Sequence, residues 1–273
     1  MDRTCYFICD YMCLLLGKEF CMKPLNIKNL IIGNGTPKIC VPIVASSMEE
    51  LKCQLPQYKT CTDIDLIEWR GDFFPEATNL QFMIDMAEEI RHTLPDIPLL
   101  FTFRSKKEGG EQEIAFSDYK ELNLTLAESN FVDMVDLELF STSDTEELTS
   151  LVNQLHITGT KIIFSNHDFS KTPEESIILS RLTAMEELGA DIAKIALMPQ
   201  TPEDVVTLLS ATVKAENSLH IPVVTMSMGK LGMISRISGG TFGSAITFGS
   251  LTKSSAPGQI PVVKLKDFLT TLS

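Results

Sequence analysis

Eight short runs of apolar and β-branched residues recur along this chain, and segments with a helical period separate them. In the separating segments apolar residues return every three or four positions, as at Met83, Met86, Ile90 and Leu94, which predicts amphipathic helices. Strands that alternate with helices form parallel sheets, because each crossover helix returns the chain to the same end of the sheet. The runs lie at residues 38–44, 63–70, 98–105, 134–140, 161–169, 191–198, 222–228 and 244–249.

Eight strand–helix units, with a closing helix at residues 262–272, favour an α/β fold of the (β/α)8 TIM barrel type. Such a barrel takes ~250 residues, and this chain has 273. A doubly wound open sheet is the alternative, but no strand–turn–helix carries a GxGxxG motif, and the glycine cluster at 239–243 precedes a strand. An N-terminal β-hairpin is predicted before the barrel, pairing residues 25–32 with 39–44 around the turn at 33–37.

Composition narrows the class of protein. Residues 1–21 hold four of the seven cysteines and differ from the rest, so we expect an N-terminal, non-catalytic extension followed by a single barrel domain at residues 22–273. The formal charge of −13 argues against nucleic acid or an anionic membrane as a partner, and no apolar run approaches the ~20 residues that span a bilayer. Without a CxxC pair or zinc spacing, the cysteines favour a reduced, cytoplasmic protein with no metal site.

Polar or charged side chains appear late in six of the eight runs, on one face of each predicted strand. Strand side chains alternate between faces, and the carboxyl ends of barrel strands meet at one mouth, so these side chains should line a common site. The faces are predicted to carry Glu68 with Arg70, Thr102 with Arg104, Asp136 with Glu138, Ser165 with His167, Lys194 with Ala196, and Thr225 with Ser227.

Lys194 stands in an otherwise apolar strand, where a charged amine is costly to bury. A desolvated lysine can act as a neutral amine that attacks a carbonyl and forms a Schiff base, which acidifies the neighbouring C–H bond. His167, on the preceding strand, is placed to move the proton. Arg70, Arg104 and Arg236 are candidates to bind an anion, although spacing alone gives no reason to choose Arg236.

Other acidic residues could support this chemistry. Glu68 could hold Arg70 or substrate hydroxyls, and Glu108, shortly after Arg104, could orient the histidine. Asp136 and Glu138 are predicted to form structural pairs.

The same residues lie in strings that resemble type I 3-dehydroquinate dehydratase. The resemblance runs in order from about Met22 to the carboxyl terminus and does not cover residues 1–21. Its strings are DLIEWRGDFF (65–74), LLFTFRSKKEGGE (99–111), SNHDF (165–169), GADIAKIALMPQ (189–200), VTMSMGKLGMISRISGGTFGSAITFGS (224–250) and SAPGQI (255–260).

The resemblance implies a barrel enzyme, expected to be a homodimer, that uses no metal or added cofactor. Its implied reaction is the syn dehydration of 3-dehydroquinate to 3-dehydroshikimate, in the shikimate pathway that leads to aromatic amino acids. Lys194 would form the Schiff base, His167 would be the acid and base, and Glu108 would be its partner. Substrate binding would fall to Arg236, Ser255 and Gln259 for the carboxylate and hydroxyls, to Glu68, Arg70 and Arg104 for hydroxyls and nearby charge, and to Phe248 and Ala256 for apolar contacts.

Two alternatives remain at this point. A class I aldolase or transaldolase would share the barrel and the lysine imine but break a C–C bond. A barrel that binds a metabolite without reacting is the other, and the presence of both Lys194 and His167 argues against it. The only departure within the motifs is Gly71, where a larger residue is more usual in the family.

Overall fold

A computed structural model describes residues 24–272, so the predicted extension at residues 1–21 lies outside the described residues. The described chain alternates strands with helices. The strands are β1 (Leu25–Ile27), β2 (Leu30–Ile32), β3 (Lys38–Ile43), β4 (Leu66–Arg70), β5 (Leu99–Thr102), β6 (Met134–Glu138), β7 (Lys161–Asp168), β8 (Ile192–Leu197), β9 (Val223–Ser227), β10 (Ile246–Ser250) and β11 (Ile260–Pro261). The helices are α1 (Met48–Thr60), α2 (Leu80–Thr93), α3 (Phe116–Glu128), α4 (Thr145–Thr158), α5 (Glu175–Glu187), α6 (Pro202–Ser218), α7 (Gly229–Ser238) and α8 (Val262–Leu272).

The central sheet is parallel and follows chain order from β3 to β9, with β10 on the other side of β3. Its two ends meet where the backbone N–H of Ala245 donates to the carbonyl oxygen of Val223 over 2.8 Å, beside a parallel bridge between Val223 and Ser244. The short strand β11 pairs in parallel with the end of β10. The predicted eight-stranded barrel is therefore confirmed, with the carboxyl ends of its strands at one mouth.

Two hydrophobic clusters hold the barrel together. The larger lies between the strands and the surrounding helices, where side chains such as Trp69, Phe101 and Phe164 are fully buried. The smaller fills the barrel interior and includes Leu66, Leu100, Ile163 and Ile192. Because successive side chains of a strand point to opposite faces, each strand from β3 to β9 contributes to both clusters. The interior is apolar near the amino ends of the strands and becomes charged only toward the carboxyl mouth.

The N-terminal β-hairpin is present, but its position differs from the prediction. β1 pairs antiparallel with β2, matching Leu25 with Ile32, so the whole hairpin lies within residues 25–32. The glycine-rich turn at 33–37 instead leads into β3, which pairs in parallel with β4 and β10. Ile27 and Ile32 pack against the barrel interior, so the hairpin closes its amino-terminal end.

Helix ends follow local sequence signals. Thr201 and Asp204 form a reciprocal capping box at the start of α6, with Pro202 as its first residue. Gly159 ends α4 in the left-handed conformation, with φ of 86°. Within residues 24–272, no helix combines the length and apolar character that a bilayer crossing requires.

The contact between the hairpin and the barrel can be tested through two adjacent isoleucines. Ile32 is fully buried, whereas the neighbouring Ile31 is 43% exposed on the other face of β2. We expect Ile32→Ala to lower the free energy of unfolding by about 2–5 kcal/mol, because it leaves a cavity at the closed end of the barrel. Ile31→Ala, the matched control, should change it by less than about 0.5 kcal/mol in the same chemical unfolding experiment. Equal losses would contradict the closing role of Ile32.

Candidate active site

A small cavity of about 40 Å³ lies at the carboxyl mouth of the barrel. It brings together ten of the eleven residues predicted for the site, and Glu108 lies directly behind it. The lining residues are Glu68, Arg70, Arg104, His167, Lys194, Met226, Arg236, Phe248, Ser255, Ala256 and Gln259. A single water needs roughly 10–15 Å³ of such space, so the cavity holds a few waters, and a larger ligand requires movement of the cover.

Arg104 is the centre of a buried ion network. Its guanidinium donates to Asp136 over 2.8 Å and to Glu138 and the Ser165 hydroxyl over 3.0 Å each. Burial lowers the pKa of Arg104, but these carboxylates outweigh burial and raise it well above its usual range. Arg104 is therefore a permanent cation fixed by structural pairs.

Lys194 lies beside this network and is 3% exposed. Its Nζ is 3.1 Å from Asp136 and 3.5 Å from Glu68, and it lies 4.6 Å from the centre of the Phe248 ring. Burial acts to raise the pKa of Asp136, but Arg104 and then Lys194 outweigh it, so that pKa is below its usual value. The strand is apolar in sequence, yet the amine lies between an aromatic face and two carboxylates.

His167 and Glu108 form a second pair on the same side of the cavity. In the ladder, Ser165 of β7 is opposite Lys194, and His167 lies two residues further on, on the same face. Glu108 ends a short 3-10 turn after β5 and accepts from the backbone N–H and from Nδ1 of His167, each over 2.9 Å. An ionised Glu108 can only accept, so Nδ1 then carries the proton, and the Nε2 lone pair is available to the cavity.

The electrostatics of this pair favour a neutral imidazole. Burial, followed by the positive charges of Arg104, Lys194 and Arg70, lowers the pKa of His167 well below its usual range. Burial also raises the pKa of Glu108 to about 7, against the opposing effect of Arg104. A neutral histidine beside an ionisable carboxylate can accept a proton on Nε2 and be stabilised once it has done so.

Arg70 is held by a residue that the sequence analysis missed. Its Nε and Nη2 donate to the two carboxylate oxygens of Asp72, each over 2.7 Å. The suggestion that Glu68 holds Arg70 is therefore wrong; the Glu68 carboxylate accepts from Thr102 and lies near Lys194. An acidic residue two positions after Arg70 was the available signal for this fork. A Cβ on Gly71, between them, would lie 2.5 Å from the Phe101 ring, so a larger residue there requires that ring to shift.

Arg236 enters the cavity because α7 packs unusually close to β9. A Cβ on Gly232 would lie 2.3 Å from the backbone of Ser227, and the Ser235 hydroxyl accepts from the Ser227 N–H over 2.9 Å. These contacts place the next residue, Arg236, over the barrel mouth. Spacing gave no reason to choose it, since the approach depends on a tertiary contact.

Unlike the other buried arginines, Arg236 has no carboxylate partner within residues 24–272. Its Nη atoms lie 3.4 Å from the Phe248 carbonyl and 3.3 Å from the Pro257 carbonyl, while its Nε is buried without a hydrogen-bond partner among those residues. Burial lowers the pKa of its guanidinium to about 10, so it remains charged at neutral pH. An uncompensated buried cation beside a cavity is suited to bind an anion.

A loop between β10 and β11 covers the cavity. Gln259 accepts from the Ser255 N–H over 2.9 Å and donates to the Ser255 hydroxyl over 3.1 Å, so the two side chains brace the loop. Ser255 also accepts from Arg70 through its carbonyl oxygen over 3.4 Å. Gly258 has a φ of 80°, and a Cβ there would lie 2.4 Å from the Gly229 carbonyl oxygen, so the loop packs directly on α7.

The inward face predicted for the run at 222–228, which forms β9, is wrong. The other five predicted faces line the interior. In β9 the interior residues are Val224 and Met226. Thr225 points to the helix layer, where its hydroxyl is 2.6 Å from that of Thr212 on α6, and Ser227 packs near Ser235. Small hydroxyls were mistaken for site residues, and so the cavity residue Met226 was missed.

The protonation of His167 gives a test that needs no substrate. Because burial and three nearby cations disfavour the imidazolium, we expect ring ¹⁵N NMR to show neutral His167 at pH 6. At pH 8, where Glu108 with its pKa of about 7 is ionised and can only accept, its bond to the ring should fix the proton on Nδ1. A doubly protonated ring at pH 6, or a proton on Nε2 at pH 8, would contradict this geometry.

Comparison with protein families identifies residues 39–273 as matching the model for type I 3-dehydroquinase. A curated 3-dehydroquinate dehydratase from Salmonella typhimurium is 47% identical over 252 residues, which are 92% of this chain and 99% of that protein. One from Escherichia coli O9:H4 shows the same identity and the same shares of both chains.

Solved structures agree. The type I 3-dehydroquinate dehydratase from Clostridium difficile, determined with covalently modified comenic acid, has a TM-score of 0.88 and 44% identity, covering 92% of this chain and 98% of that one. The enzyme from Enterococcus faecalis has a TM-score of 0.84 and 39% identity, covering 92% and 100%. The buried lysine, the histidine–glutamate pair and the unpaired arginine thus occur in a chain that belongs to the type I 3-dehydroquinate dehydratase family.

Proposed function

We propose that this chain converts 3-dehydroquinate to 3-dehydroshikimate through an imine on Lys194, as a hydro-lyase of the shikimate pathway. One observation carries the proposal: a buried amine, a neutral imidazole and an uncompensated guanidinium line the same small cavity. The substrate offers a matching group to each, namely a C3 ketone, a C2–H bond and a carboxylate. Family membership supports this assignment over the two alternatives, a class I aldolase and a non-catalytic binding barrel.

Binding would be directed by charge. The substrate carboxylate would take the place opposite Arg236, whose guanidinium has no acidic partner among residues 24–272. Arg70, Glu68, Ser255 and Gln259 offer donors and acceptors for the ring hydroxyls around the same cavity. Phe248 and Ala256 would contact the carbon skeleton.

Imine formation would begin with attack of the neutral Lys194 amine on C3. The carboxylates of Asp136 and Glu68, 3.1 and 3.5 Å from Nζ, can take the proton that the ammonium must lose. The same carboxylate returns that proton to the carbinolamine hydroxyl, which leaves as water and gives the iminium. The positive charge of the iminium then replaces that of the ammonium, so the ion pair with Asp136 is restored.

Elimination would use His167. Its Nε2 removes a proton from C2, and the electrons of that C–H bond move into the iminium to give an enamine. Glu108 stabilises the imidazolium through the 2.9 Å bond at Nδ1. The enamine then expels the C1 hydroxyl, which leaves as water with the proton that His167 carried.

Release needs one water molecule. Water adds to C3 of the product iminium while His167 takes one of its protons. The carbinolamine then collapses to the ketone, and His167 returns that proton to the departing amine, so Lys194 leaves as the ammonium with which the cycle began. His167 thus regains its starting protonation state, and no external oxidant or reductant is required.

The assembly and location of the protein are further parts of this proposal. A homodimer and a cytoplasmic location rest on the family and on cysteine usage. Cys40, Cys53 and Cys61 are unpaired thiols in the structure, which suits a reducing compartment.

The covalent step is tested by trapping. With 3-dehydroquinate and sodium borohydride, we expect a reduced adduct that mass spectrometry locates on Lys194. Lys194→Met should give neither adduct nor turnover, whereas Lys266→Met, on the exposed surface of α8, should behave as the parent. His167→Ala should still form the adduct but turn over at least about 10²-fold more slowly. Turnover by Lys194→Met at the parent rate would refute the imine.

The role of Arg236 is tested by separating binding from stability. Arg236→Met should raise KM for 3-dehydroquinate about ten- to a hundredfold, because a charge-assisted bond to the carboxylate is lost. Its Tm should stay equal or rise, because an uncompensated buried charge has been removed.

Arg91→Met is the matched control for Arg236. Arg91 is paired with Asp133 outside the cavity, so this variant should lower Tm and leave KM unchanged. An unchanged KM in Arg236→Met would contradict the anion-binding assignment.

A further inference from the structure

Asn166 and Arg181 form a hydrogen-bonded chain that ends on the carboxylate behind His167. Arg181, on α5, donates from Nη1 to Oδ1 of Asn166 over 2.8 Å. The Asn166 Nδ2 donates to Oε1 of Glu108 over 3.0 Å. Oε2 of the same carboxylate accepts from His167. Neither Asn166 nor Arg181 lines the cavity.

The chemistry of the chain permits only one orientation of the Asn166 amide. A guanidinium can only donate, so it must meet the amide oxygen, and a carboxylate can only accept, so it must meet the amide nitrogen. Asn166 is 4% exposed, which removes water as an alternative partner for most of its surface. Arg181 thereby fixes which atom Glu108 meets.

Hydrogen bonds from Asn166 and His167 also hold Glu108 from both faces of β7. Asn166 and His167 are adjacent in the strand and point to opposite faces, yet both donate to the same carboxylate. With the two oxygens bonded to different partners, the carboxylate plane cannot rotate without breaking one bond. The rotation of Glu108 sets the direction of the Nδ1 bond and so the direction of Nε2.

We propose that Asn166 and Arg181 are positioning residues: Arg181 orients the Asn166 amide, and the amide holds Glu108 so that His167 keeps its proton on Nδ1 and presents Nε2 as the base. The proposal rests on the function proposed above. It explains why a partly exposed arginine on a barrel helix is connected to a base at the mouth.

Other charged groups near the Arg181–Asn166–Glu108 hydrogen bonds determine how a variant should change the pH dependence of activity. Glu108 also faces Arg104, at 3.7 Å, and the negative charge of Glu138. Arg181 lies over the Phe140 ring at 5.7 Å. Burial acts to raise the pKa of Asp168, but hydrogen bonds from Ser170 and Lys171, together with the charge of Arg181, lower that pKa below its usual value. The Asn166 bond opposes the rise in the pKa of Glu108 that burial causes. Losing that bond should therefore move the acidic limb of activity to higher pH.

The kinetic test uses Arg181→Met and Asn166→Leu. Each should lower kcat about tenfold at pH 7 and change KM less than about twofold, since a charge-assisted bond is lost outside the binding surface. The pKa that governs the acidic limb of the kcat–pH profile should increase, so that activity recovers partly at alkaline pH. Arg181→Lys should restore part of kcat because it keeps a donor.

Lys171→Met is the matched control for charge. Lys171 is exposed on the loop after β7, and its hydrogen bond to Asp168 uses the backbone N–H. This variant removes one positive charge near the mouth but leaves the chain intact, so its pH profile should match the parent.

A second readout does not depend on turnover. Ring ¹⁵N NMR of Arg181→Met and Asn166→Leu should show His167 losing its single Nδ1–H tautomer and becoming a mixture. If both variants keep that tautomer and the parent pH profile while only Tm falls, the two residues are merely structural and the proposal is overturned. A parent enzyme that forms no Lys194 adduct would instead overturn the proposed function, and the NMR result would still decide the positioning.

Discussion

The pairing of Arg104, Asp136 and Lys194 is the interaction on which this site depends. The three residues lie on or just after different strands, and all are nearly excluded from solvent. Such charges are costly to bury singly and are stable only when their partners are in place. The parallel register supplies that placement, because it brings Thr102 opposite Asp136 and Ser165 opposite Lys194. The apolar layer below excludes water and strengthens each pair.

The remaining charges divide according to whether they have a fixed partner. Arg70 is held by the two oxygens of Asp72, so it forms a rigid part of the wall. Arg236 meets carbonyl oxygens and a sulfur atom but no carboxylate within residues 24–272, so its charge is left for a ligand. The groups that can transfer protons also differ from the fixed ion pairs, because His167 is neutral and the pKa of Glu108 is about 7. Structural pairs therefore hold the site, and unpaired or titrating groups act in it.

Much of the fold follows from local pattern. A strand period of two and a helix period of 3.6 are properties of the backbone, so the eight units could be counted directly. The hairpin was misplaced because glycine-rich turns at 33–37 resemble a hairpin turn, whereas the actual turn at Lys28 and Asn29 has no glycine. The face of β9 was misassigned because Thr225 and Ser227 are polar, and their partners Thr212 and Ser235 belong to helices distant in sequence.

The sequence by itself determined the strand order, the inward series on five strands and the identity of the lysine and histidine, because a charged residue in an apolar run is visible locally. Tertiary structure decided which arginine remains unpaired. It placed Arg236 over the mouth through the close approach of Gly232 to Ser227, gave Arg70 its partner Asp72, and connected Arg181 to Glu108 through Asn166. These outcomes depend on distances between segments far apart in the chain, which no spacing rule contains.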